Sequence, residues 1–128
     1  EDNRKVNPNR IRKSIGAERT FNEDVIRVDV MYEKLKTIGE KLFDSIEKTE
    51  NYGRTLTIKI KYADFQIITR SKTLNREIRT LTAVNAIVKE LLYNNMKDGE
   101  SVRLLGISIS NLRREEENLP RQLELDFW

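Results

Sequence analysis

The 128-residue sequence contains no cysteine and no histidine. The two absences exclude disulfides, zinc sites of the Cys/His type, and any nucleophile or general base built on thiolate or imidazole. Chemistry is left to carboxylates, lysines and hydroxyls. Long apolar runs are also missing. None approaches the ~20 residues that cross a bilayer, and the amino-terminal stretch lacks the apolar middle of a signal peptide. The chain begins "EDNRKVNPNR" without an initiating methionine, which reads as a cytoplasmic protein or a piece of one. Proline occurs only at positions 8 and 120, and between them there is room for one domain with a core.

The net charge of +3 is unevenly divided. Residues 1–19 carry six basic and three acidic side chains, residues 23–50 five and eight, residues 54–79 seven and two, and residues 80–128 six and eight. Positive charge therefore gathers in the first and third segments, a segregation that suits a polyanionic partner on one face.

Hydrophobic periodicity places the elements. Residues 1–9 read as a linker and "RIRKSIGAERTF" as a strand. Thr20 and Glu23 stand at capping-box spacing. After them Val25, Val28, Tyr32, Leu35, Ile38, Leu42 and Ile46 recur at steps of three and four, the buried stripe of a long helix that ends near Asn51 and Gly53. From Arg54 the period changes to two, with Leu56, Ile58, Ile60 and Tyr62 on one face and Thr57, Lys59 and Lys61 on the other. A two-residue turn at Ala63 and Asp64 would set Tyr62 opposite Phe65 and turn Gln66, Ile68, Arg70 and Lys72 outward. Thr80 caps a second helix with Leu81, Val84, Ile87, Val88, Leu91 and Leu92 as its stripe. "SVRLLGISISNL" reads as the last strand, and Gly106 within it as a bulge or a close approach of another backbone. The order βαββαβ predicts an α+β domain over residues 10–112, a split arrangement with mixed pairing in which two helices cover one face of a four-stranded sheet.

The outward row of the hairpin, Thr57, Lys59, Lys61, Gln66, Arg70 and Lys72, has two readings. It is a solvated face whose lysines discourage edge-to-edge pairing, or, with Arg10, Arg12 and Lys13 behind it, a surface for a phosphate backbone that carries one charge per ~1.7 Å of duplex. No aromatic residue is expected on that face, which disfavours stacking on unpaired bases. Ser14 and Gly16 in "KSIGAER" either admit a phosphate to backbone donors or mark an ordinary strand with a bulge. The run "REEE", Arg114 to Glu117, reads as solvated rather than metal-binding. The end, "RQLELDFW", holds Leu123, Leu125, Phe127 and Trp128 behind a charged run and Pro120, as an extended binding peptide or as a tail folded back on its own domain.

In order along the chain, "RKSIGAERTF" with the long helix after it, "TLTIKIKYADFQIITRSKTL", "VRLLGISISNL" and the terminal "QLELDF" together resemble the carboxy-terminal little-finger domain of Y-family translesion DNA polymerases, over about residues 10–127. The resemblance implies a non-catalytic domain lying along the template–primer duplex, with Lys13, Ser14, Gly16, Thr57, Lys59, Lys61, Arg70 and Lys72 as contact candidates. It also implies that residues 1–9 link to an upstream palm, fingers and thumb whose carboxylates hold Mg2+, that this fragment carries no cofactor of its own, and that the setting is the bacterial cytoplasm. The family's tail peptide, commonly glutamine–leucine–any–leucine–phenylalanine, docks on the ring-shaped sliding clamp. Gln122, Leu123 and Leu125 match it, Asp126 is interposed before Phe127, and Trp128 is an extra residue. A stand-alone RNA- or protein-binding module of ferredoxin-like topology is the alternative reading. A small hydrolase is a third, for which no catalytic side chain is visible.

Overall fold

A computed structural model of the chain describes residues 14–112. The elements are β1 (Ser14–Val25), α1 (Val28–Thr49), β2 (Gly53–Tyr62), β3 (Ile67–Thr73), α2 (Leu81–Asn95) and β4 (Val102–Leu112). The sheet order is β1-β4-β2-β3, and every neighbouring pair is antiparallel. The expected mixed pairing is therefore replaced by a wholly antiparallel sheet. Each helical crossover joins two strands of like direction, but a strand of the opposite direction lies between them: β4 between β1 and β2, and β2 between β3 and β4.

Both helices lie on one side, and the core fills the space between them and the sheet. Met31, Leu35 and Ile46 of α1, Val84, Val88 and Leu92 of α2, and Leu56, Ile58, Ile60, Leu105 and Ile109 of the sheet are all under 2% exposed or at that level. The α1 stripe is wider than its spacing suggested, since Met31, Gly39 and Phe43 are buried with it. Tyr32, half-buried, meets Tyr93 of α2 edge-on at 6.2 Å.

The capping box expected at Thr20 and Glu23 does not form. β1 runs on to Val25, with Thr20 opposite Leu104, Val25 opposite Val102 and a register shift between them. Phe21 and Val25 face the core at 7% exposure, so burial and ladder bonds outweigh the local capping pattern. The first turn of α1 finds its acceptor elsewhere, where Val28 N–H donates to Asp98 Oδ1 at 2.8 Å. Asp98 thus caps a helix 70 positions away in sequence. Asp98→Ala should lower stability by about 1 kcal/mol, read as a shift in the urea midpoint at unchanged slope. At α2 the sequence signal holds, and Thr80 Oγ1 accepts from Ala83 N–H at 3.1 Å.

The β2–β3 turn also differs from expectation. Tyr62 N–H donates to the Gln66 carbonyl and Phe65 N–H to the Tyr62 carbonyl, both at 2.9 Å. Phe65 adopts φ 72°. This is a three-residue loop, Ala63 to Phe65, closed by a left-handed residue, so Lys61 pairs with Ile67 and Ile58 with Arg70. Against the sequence reading, a one-residue change of register turns every side chain of β3 to the other face. Ile67, Thr69, Ser71 and Thr73 share the face of Lys59 and Lys61, while Ile68, Arg70 and Lys72 lie on the helix side. Arg70 Nε donates to Asn95 Oδ1 at 3.1 Å, and Lys72 Nζ pairs with Glu90 at 2.8 Å.

Candidate nucleic-acid interface

The sheet face away from the helices is a grid whose rows follow from the register. At one end Ser14, Ser110, Thr55 and Thr73 stand side by side, and the next row is Gly16, Ser108, Thr57 and Ser71. Glu18, Gly106, Lys59 and Thr69 follow, and then Thr20, Leu104, Lys61 and Ile67. The period-two pattern of β2 explains this face, because each inward isoleucine forces its neighbours outward. In β4 the inward Ile107 and Ile109 alternate in the same way with Gly106, Ser108 and Ser110.

Hydroxyls dominate. Thr55 Oγ1 and Thr73 Oγ1 are 2.8 Å apart, Thr57 Oγ1 and Ser71 Oγ 3.0 Å apart, and Asn111 Nδ2 donates to Thr55 Oγ1 at 2.6 Å. At the centre the floor is backbone, a shallow depression of about 250 Å³ lined by Gly16, Glu18, Thr57, Lys59, Gly106 and Ser108 among others. Gly106 forms no bulge. It is the close approach, for a Cβ there would stand 2.9 Å from Glu18 Cβ. Across this glycine Lys59 Nζ pairs with Glu18 Oε1 at 3.2 Å. Lys61 Nζ lies 5.1 Å from the ring centroid of Phe65.

Such a face presents donors and two ammonium groups over a broad, nearly flat area. It can hold phosphate oxygens in many registers and reads no base edge, since hydroxyls and lysines contact backbone without sequence information. Next to the last row, burial raises the Tyr62 phenol above its ordinary pKa and the Glu100 carboxylate adds to the shift. Tyr62 therefore stays protonated and donates to Met96 Sδ at 3.3 Å.

Of the residues singled out in the sequence, Ser14, Gly16, Thr57, Lys59 and Lys61 come together on this face. Arg70 and Lys72 do not; they are engaged with α2. Lys13, Gln122, Leu123, Leu125, Phe127 and Trp128 lie outside the described residues, as do Arg10, Arg12 and the Arg114–Glu117 run. The sequence reading missed the hydroxyls of Thr55, Thr69, Ser71, Thr73, Ser108 and Ser110 and the carboxylate of Glu18. The signal for Ser108 and Ser110 was their alternation with Ile107 and Ile109. Among the described residues there is no group of three or more carboxylates placed to hold a metal ion, and no helix is long and apolar enough to cross a membrane.

Comparison with known proteins agrees with this architecture. The impB/mucB/samB family C-terminal domain matches residues 12–125. DNA polymerase IV of Clostridium perfringens is 44% identical over 118 residues, which cover 92% of this chain and 32% of that protein. DNA polymerase IV of Clostridioides difficile is 40% identical over 120 residues, 91% of this chain and 32% of the relative. The chain thus spans about a third of the length of the curated relatives it matches. Among solved structures, an insertion ternary complex of Dbh DNA polymerase shares the fold at a TM-score of 0.68 and 17% identity, over 77% of this chain and 28% of that one. A complex of beta-clamp processivity factor and the little finger domain of PolIV gives 0.56 and 21%, over 76% of this chain and 86% of the other. The helices on one side, the open antiparallel face and the match over residues 12–125 lead to one assignment: the chain belongs to the impB/mucB/samB C-terminal domain family, with the fold seen in the little finger domain of PolIV.

Proposed function

We propose that this chain is the non-catalytic, duplex-gripping part of a translesion DNA polymerase, and that residues 122–128 bring the enzyme to a sliding clamp. The observation that carries the first half is the open grid itself, with Lys59 and Lys61 set among hydroxyls and no described helix over them. A relative of the same fold seen in a ternary polymerase complex supports it, and a little finger seen with a clamp supports the second half. On this reading residues 1–9 join an upstream polymerase core, 10–112 form the domain, and 113–128 serve as a tethering tail. Lys13, Ser14, Gly16 and Thr57 complete the contact set, whereas Arg70 and Lys72 serve the packing of α2 on the sheet edge.

Titration of a blunt duplex at several salt concentrations tests the grip. Affinity should be independent of sequence and fall with salt. Lys59→Ala with Lys61→Ala should weaken binding and make the log–log salt slope shallower by roughly 2, about 0.9 for each phosphate no longer neutralised. Lys72→Ala should alter neither. Glu18→Gln, which frees Lys59 from its ion pair, should strengthen binding by about twofold to fivefold, within the range of an exposed pair. A slope unchanged by the double lysine variant, or a strong preference for one sequence, would overturn the backbone reading.

A further inference from the structure

One side chain at the rim of the open face is explained neither by packing nor by backbone preference. Phe65 closes the β2–β3 loop with φ 72°. That position in a three-residue hairpin favours glycine or asparagine, and a bulky side chain there is strained. Yet the ring is 67% exposed, so burial does not compensate. Beside it Ile67 is 51% exposed, so two large apolar side chains lie open at this end of the hairpin. Lys61 reaches over the ring at 5.1 Å, tying it to the lysine row. The neighbouring Asp64 turns its carboxylate to the Gln66 N–H at 3.1 Å and so into the loop.

We propose that Phe65 is a stacking platform for an unpaired nucleobase, where a strand leaves the duplex that lies along the sheet. This rests on the duplex-binding reading above. An exposed ring with an adjacent ammonium matches the chemistry of a single-stranded nucleotide, whose base offers an apolar face and whose phosphate offers a negative charge. Inside a duplex the base faces are covered, so the ring acts only where pairing ends. Lys61 then has two tasks: it holds the phosphate and it orients the ring.

Glycine suits the left-handed position better than phenylalanine, so Phe65→Gly removes the ring without endangering the fold. The experiment compares the whole chain and this variant on a blunt duplex and on the same duplex with a single-stranded extension carrying 2-aminopurine next to the junction. For the parent, the extension should tighten binding by about fivefold to tenfold, with quenching of the 2-aminopurine. Phe65→Gly should lose that gain and the quenching, keep the blunt-duplex affinity, and melt no lower than the parent. Phe65→Trp should retain the gain. Parental behaviour of Phe65→Gly on both DNAs would overturn the proposal and point to a protein contact for the ring. Equal weakening on both DNAs would also overturn it, as a grip on the duplex itself. Failure of the parent to bind either DNA would instead remove the duplex reading on which the proposal stands.

Discussion

Replacing Leu125 and Phe127 together by alanine is expected to abolish binding to a sliding clamp while leaving duplex binding unchanged. Burying a leucine or phenylalanine side chain contributes about 1.5–3 kcal/mol. An extended peptide spends part of that on its own ordering, so the parent should bind in the micromolar range as an order of magnitude. Loss of about 3–6 kcal/mol from two anchors then carries the affinity beyond ordinary detection. Gln122 should act differently, as a polar handle that sets register, and Gln122→Ala should weaken binding by a smaller factor. With the clamp threaded on DNA, engagement of both the tail and the sheet face should raise the parent's apparent affinity well above either interaction alone. The measurement is a clamp titration by fluorescence anisotropy, with a duplex titration as control. A double variant that holds the clamp like its parent would place the recruiting surface elsewhere on the chain. One that loses its fold would show the tail to be part of the domain's own packing.

The second large effect concerns stability. Gly53→Ala should strongly destabilise the domain, whereas the same change at Gly39 should be neutral or stabilising. Gly53 begins β2 opposite Leu112, and its carbonyl accepts from Ile78 N–H at 2.8 Å. A Cβ there would stand 2.6 Å from Ile109 Cγ2 and closer still to the Ser110 carbonyl oxygen. Neither can yield cheaply, because Ser110 belongs to the backbone of a central strand and Ile109 is 1% exposed. Overpacking of this kind costs about 1–3 kcal/mol and more where backbone must shift, which lowers the melting temperature of a domain this size by roughly 10 °C or more. In α1, a Cβ on Gly39 would meet Ile107 Cδ1 at 3.5 Å and Val84 Cγ1 at 3.6 Å, ordinary contact distances. Removal of a mid-helix glycine there should stabilise by about 0.5–1 kcal/mol. Calorimetry on the two variants checks both signs, and a Gly53→Ala protein that melts like the parent would refute the close-packed reading of this corner.

Where a residue's environment follows from its near neighbours, the sequence was sufficient. Leu35, Ile38, Leu42 and Ile46 return to one side every turn, so any helix through them buries the same stripe. Leu56, Ile58 and Ile60 alternate with Thr57, Lys59 and Lys61 so regularly that the faces of β2 follow from the period alone. Thr80 lies three residues from the donor it caps.

Tertiary structure decided the rest, for identifiable reasons. From Gln66 to Thr73 each parity contains one isoleucine, so hydrophobicity does not say which way β3 faces. The loop length says it, and that depends on Phe65 taking a left-handed conformation that its side chain disfavours. Thr20 and Glu23 satisfy a local capping rule, yet β1 continues past them because its ladder partner is β4, more than 80 positions away at Thr20 and Leu104. The cap of α1 is likewise Asp98, supplied by the connection between α2 and β4. Strand order is the furthest from local information. Periodicity states that each strand has an apolar face, but which strand lies between β1 and β2 depends on how two helices share one side of the sheet. That arrangement is what leaves the rows of serine, threonine and lysine uncovered on the other.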